Sequence, residues 1–94
     1  MLRIHIEHES EVVKLRLEGK LVQPWVDELV QVWMDLTAGL PRQTPISVDM
    51  SEVSFVDARG KTLLASMLKG GCSLHGSGPF ISAVIEDVRS SLPS

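Results

Sequence analysis

Cysteine is almost missing from this sequence: Cys72 is alone among 94 residues. An internal disulfide is therefore excluded, and a reducing compartment fits. Tyrosine is absent, and phenylalanine and tryptophan occur twice each. Positive charge is also in short supply. Nine Lys and Arg against twelve Asp and Glu leave a net charge of -3, so no global basic field argues for nucleic acid or an anionic membrane. No apolar run approaches the ~20 residues that span a bilayer. The opening MLRIHIEHES alternates in polarity and carries acidic residues, unlike a signal peptide. Internal repeats, linkers and low-complexity segments are lacking too. What is present is 44% hydrophobic and 22% charged, a globular composition on a chain long enough for one core and too short for two. The expectation is one soluble, cytoplasmic domain over residues 1–94.

Residues 2 to 7 alternate, with Leu2, Ile4 and Ile6 on one side and Arg3, His5 and Glu7 on the other. Residues 12 to 18 repeat the pattern, with Val13, Leu15 and Leu17 against Lys14, Arg16 and Glu18. Period 2 means half-buried strands, and the short link His8 to Glu11 makes them an antiparallel hairpin. Gly19 to Pro24 breaks the alternation. Trp25, Val26, Leu29, Val30, Val32, Trp33 and Leu36 then recur at helical spacing, ended by Gly39 and Pro41. The tryptophans lie on one side of this helix without basic residues between them, which suits core packing better than base stacking.

A third strand places Ile46, Val48 and Met50 inward, followed by Phe55 and Val56 in a buried connection. A second helix starts at the favourable N-cap residue Asp57 and buries Gly60, Leu63, Leu64, Met67 and Leu68. Gly70-Gly71 ends it. Cys72 to His75 makes a short fourth strand and Gly76 to Pro79 a turn. Ile81, Val84, Ile85, Val88 and Leu92 form the stripe of a third helix.

The order β-β-α-β-α-β-α predicts an α/β fold with a four-stranded mixed sheet. Right-handed crossovers give strand order 1-2-3-4, with every helix on one face and the other face solvated. Strands two, three and four run parallel. The loops Lys20 to Pro24, Ser51 to Arg59 and Gly76 to Pro79 are thus expected at one carboxyl edge, where open parallel sheets place their sites.

Gly60-Lys61-Thr62 looks like the end of a phosphate-binding loop, but that motif needs a glycine where Phe55 stands. Gly76-x-Gly78 is a weak phosphate-loop signal and reads better as a turn, although its N–H groups can hold an anion. His5 and His8 face opposite ways on one strand, as do Cys72 and His75, so no metal pair is expected. Ser51, Ser54 and Ser66 lack a histidine partner. No cofactor and no enzymatic activity are expected.

Asp49-Met50-Ser51-Glu52-Val53-Ser54-Phe55-Val56-Asp57-Ala58-Arg59-Gly60 resembles the most recognisable segment of the STAS domain, the fold of anti-sigma-factor antagonists and of sulfate-transporter tails. Gly19-Lys20-Leu21-Val22 is similar to the family's Gly-x-Leu-Asp. Gly70 to Leu74 and Gly78-Pro79 resemble its last strand and turn. The likeness runs from about residue 2 to 90 in register. It implies a regulatory protein-binding module whose partner is an anti-sigma kinase or a related ATPase. Where the antagonists carry a phosphorylated serine or threonine, this chain has Ala58, and Val22 replaces an acidic residue. The usual phospho-switch is therefore not expected.

The partner-binding residues suggested by topology and resemblance are Lys20, Val22, Gln23, Asp57, Ala58, Arg59, Thr62, Ser66 and Lys69. Val22 serves either as a contact anchor or as packing under the first helix. Two other functions stand beside this one. One is a small subunit on the ATPase of an ABC-type lipid transporter; the other is a nucleotide-sensing domain. A homodimer is compatible with all three. Nucleic acid and direct membrane insertion are not expected.

Overall fold

Ser10 and Glu11 alone separate the first two strands, β1 (Leu2–Glu9) and β2 (Val12–Leu21). The tight reversal uses the left-handed backbone of Ser10, with φ at 52°, and sets Glu9 opposite Val12 in an antiparallel ladder. A computed structural model describes residues 1–41 and 43–92. After the hairpin come α1 (Trp25–Gly39), β3 (Ile46–Val56), α2 (Ala58–Lys69), β4 (Ser73–His75) and α3 (Pro79–Ser90). The sheet order is β1-β2-β3-β4, with β2, β3 and β4 parallel. This is the predicted topology.

The period-2 residues of β2 and β3 explain the core. Leu15, Leu17, Leu21, Val48 and Met50 are fully buried beneath Leu29 of α1, Leu64 and Met67 of α2, and Val84 and Val88 of α3. No polar or charged residue is buried among the described residues. The opposite face of the sheet is solvated and carries ion pairs: Arg16 to Glu18 at 2.9 Å, His5 to Glu18 at 3.0 Å and Lys14 to Asp49 at 3.8 Å.

Five expectations need correction. β2 runs on through Lys20 and Leu21, which are strand residues and not loop. Ile6, near the tip of the edge strand, is exposed, although its ladder partner Leu15 is buried. Leu92 lies beyond the end of α3, half-buried. The largest difference concerns β3, which runs for 11 residues. Its register against β2 shifts twice, between Arg16 and Glu18 and between Gly19 and Lys20. Each shift adds a β3 residue and reverses which face the next side chain takes. Val53 and Val56 therefore both point inward, opposite Gly19 and Leu21, while Phe55 pairs with Lys20 on the solvated side. Phe55 is 51% exposed, not buried in a connection.

The length of β3 also moves the third loop. β4 pairs only with Ser47 to Asp49, so the Gly76 to Pro79 turn leaves the sheet halfway along β3. Gly76 packs against Met50 and Ile81. The carboxyl edge is thus built by two loops, after β2 and after β3, and not by three.

Candidate functional site

Asp57 holds those two loops together. Its backbone is extended, as an N-cap requires, and one carboxylate oxygen accepts the Gly60 N–H at 2.7 Å. The other accepts the Gln23 N–H at 3.0 Å, across from the loop after β2. Its own N–H donates to the Leu21 carbonyl at 3.1 Å. The Gly60 bond foremost, then the Gln23 bond, holds this carboxyl below the usual aspartate range. The predicted cap is present, and it is also a cross-brace.

Gly60 has a structural purpose at the same junction. A Cβ there would lie 2.6 Å from the Leu21 carbonyl oxygen and 2.8 Å from Cγ1 of Val56. The glycine lets α2 sit directly on the ends of β2 and β3. Lys61 turns away from the helix start and pairs with Asp87 of α3 at 2.8 Å. A phosphate at the start of α2 would meet the Asp57 carboxylate there, with Lys61 already engaged.

Seven of the nine predicted binding residues surround this brace or follow it along α2. Val22 and Gln23 are half-buried in the loop after β2, and the Val22 carbonyl accepts the Val26 N–H that opens α1. Ala58, Arg59, Thr62, Ser66 and Lys69 are exposed along α2. The Thr62 hydroxyl donates to the Ala58 carbonyl at 3.0 Å. Asp57 forms the brace itself. Lys20 is exposed on the open face of the sheet, around the corner from α2.

Sequence reasoning missed three features. The first is Phe55 beside Lys20; the Val53-x-x-Val56 spacing, which breaks period 2, was the available signal. The second is the side-chain oxygen of Gln23, buried without a hydrogen-bond partner among the described residues. The third is a bond of 2.8 Å between the Ser73 hydroxyl and Nε2 of His75, two residues apart on one face of β4. Both side chains are exposed on the open sheet, and among the described residues no carboxylate bonds the other ring nitrogen. Such a pair lacks the orienting group that nucleophilic catalysis uses. Cys72 is buried, which pushes its thiol up to about 11 and makes it unreactive.

No protein-family model and no curated protein matches the sequence. Solved structures do match the fold. An anti-sigma factor antagonist from Mycobacterium paratuberculosis superposes with a TM-score of 0.82 at 19% identity, over 96% of this chain and 80% of that one. The anti-sigma factor antagonist SpoIIAA in its unphosphorylated form gives a TM-score of 0.67 at 22% identity, over 89% and 82%. An uncharacterised protein from Shewanella loihica PV-4 with a SpoIIAA-like fold gives 0.64 at 17% identity, over 98% and 80%. In sheet order, mixed strand directions and helix placement, this chain has the fold of the anti-sigma-factor antagonists.

Proposed function

We propose that residues 1–94 act as a single, non-catalytic regulatory module that binds a partner protein through the carboxyl edge of the sheet and the outer face of α2. The observation that carries this reading is the Asp57 brace. It ties the Gln23 N–H of one loop to the Gly60 N–H at the start of α2 and leaves Ala58 and Arg59, which lie between Asp57 and Gly60, exposed. Rigid presentation of exposed groups lowers the ordering cost of association. The partner class is an anti-sigma kinase or a related ATPase, in keeping with the solved antagonists of the same fold. The ATPase of a lipid transporter would use the same surface. The protein acts in the cytoplasm, without cofactor or metal.

Ala58 has no hydroxyl, so the module lacks a phosphate switch at the start of α2. A phosphoserine there would add about -1.5 to -2 charges beside Asp57. Titration of the purified protein against the anti-sigma kinase and the transporter ATPase of its own cell tests the proposal. Saturable binding to one of them supports it. Failure with both, together with micromolar ATP affinity abolished by Lys61→Ala, would favour a nucleotide sensor instead.

A further inference from the structure

Most charges on the open face of the sheet neutralise one another, through the Arg16–Glu18, Arg16–Glu7, His5–Glu18 and Lys14–Asp49 contacts. The carboxyl end of that face is different. Lys20 is exposed, and among the described residues neither it nor Arg59 has a carboxylate within 4.0 Å of its charged nitrogens. Asp57 spends its oxygens on the Gln23 and Gly60 N–H groups and forms no ion pair with either cation, although its charge is felt at Arg59. Glu52 sits one row back in the ladder, opposite Glu18. Beside Lys20 stands Phe55, 51% exposed and set on this face by the second register shift of β3. On the other side of Lys20, Met1 is 73% exposed, with its carbonyl accepting the Lys20 N–H.

An exposed aromatic beside a lysine without an ion pair, with Arg59 exposed at the neighbouring start of α2, suits an apolar contact flanked by carboxylates of a partner. We propose that the docking surface turns from α2 onto the open sheet. There Phe55 receives an apolar side chain from an acidic segment of the partner protein, whose carboxylates meet Lys20 and Arg59. This rests on the reading of the edge as a partner site and names the chemistry of what binds there. Arg59 supplies the bidentate fork for a carboxylate, and Lys20 a point charge.

Replacement of Phe55 by p-benzoylphenylalanine, and separately of Ser66 on the α2 face, in the full chain in its own cell allows the two surfaces to be cross-linked independently. The cross-linked peptides are sequenced. The segment attached to position 55 is then synthesised and titrated against the unmodified protein. The expected segment carries carboxylates on both sides of an apolar residue. Its affinity should fall about tenfold or more in Lys20→Glu and in Phe55→Ser, with melting unchanged in both. No adduct at 55, an adduct to a second copy of this chain, a neutral or basic segment, or unchanged affinity in either variant overturns the inference. If Ser66 cross-links and Phe55 does not, the partner site on α2 stands and only this inference falls. If neither cross-links to another protein, both fall.

Discussion

At the scale of single residues, Asp57 and Gly60 decide whether the edge exists at all. Asp57→Ala removes the acceptor for two N–H groups on different loops. It should lower the thermal midpoint by several degrees, measured by circular dichroism, and loosen amide-exchange protection at Gln23 and Gly60 together. Asp57→Asn keeps a cap but removes the charge, which isolates the titration. The native carboxyl is held below its ordinary value by the Gly60 and Gln23 N–H groups. Its contribution to stability is therefore complete above the unfolded aspartate value, near pH ~4, and is lost as pH falls through the lower native value. Melting curves between neutral pH and about pH 2 should fall less steeply for Asp57→Asn than for the natural protein in that acid window. Gly60→Ala tests the close approach. Its Cβ meets the Leu21 carbonyl, a backbone atom that cannot swing aside, so destabilisation of about 1–3 kcal/mol is expected in urea. A neutral result would mean that α2 can lift off the strands at little cost.

At the scale of elements, legibility in the sequence followed regularity. The strict alternation of Leu2 to Glu7 and of Val13 to Glu18 gave the hairpin and, apart from the exposed Ile6, its inner face. The helical spacing of Leu64 and Met67, and of Ile81, Val84, Ile85 and Val88, gave the faces that α2 and α3 bury. Asp57 as a cap was legible because a cap is a local device. Phe55 was not, since a register shift depends on the neighbouring strand and leaves only a weak mark in the shifted one. The turn at Gly76 was recognised, but its place beside Met50 follows from the three-residue length of β4, which periodicity does not fix. The consequence for β3 is measurable. Phe55→Ser should leave unfolding in urea nearly unchanged, whereas Val56→Ala, at 5% exposure, should cost about 2 kcal/mol. The reverse order would place Phe55 in the core. For α2, Lys61 is held by Asp87 and the first turn by Asp57. Calorimetric titration of ATP and GTP should accordingly detect no binding tighter than about millimolar, near -4 kcal/mol.

At the scale of the whole molecule, a sheet covered by helices on one face and ion-paired on the other leaves two kinds of surface. The paired region around Arg16, with Glu18 at 2.9 Å and Glu7 at 4.0 Å, is electrostatically self-sufficient. Lys20 and Arg59, by contrast, have no ion-pair partner among the described residues. Charge reversal at a buried docking contact costs about 2–5 kcal/mol of association, and much less at a rim. Arg59 is exposed, so Arg59→Glu should barely alter folding. Arg16→Glu is a poor control, because it would set a third carboxylate beside Glu7 and Glu18 and disturb the sheet itself. Arg89, exposed in the last turn of α3, supplies the same change of charge away from the edge. The most direct measurement is quantitative affinity capture from the native cell with the natural protein, Arg59→Glu and Arg89→Glu, each shown by melting to be folded. The expected result is one specific partner retained by the natural protein and by Arg89→Glu, and depleted at least about tenfold by Arg59→Glu. Full retention by Arg59→Glu, with loss in Arg89→Glu, would contradict the assignment of the binding function to this edge.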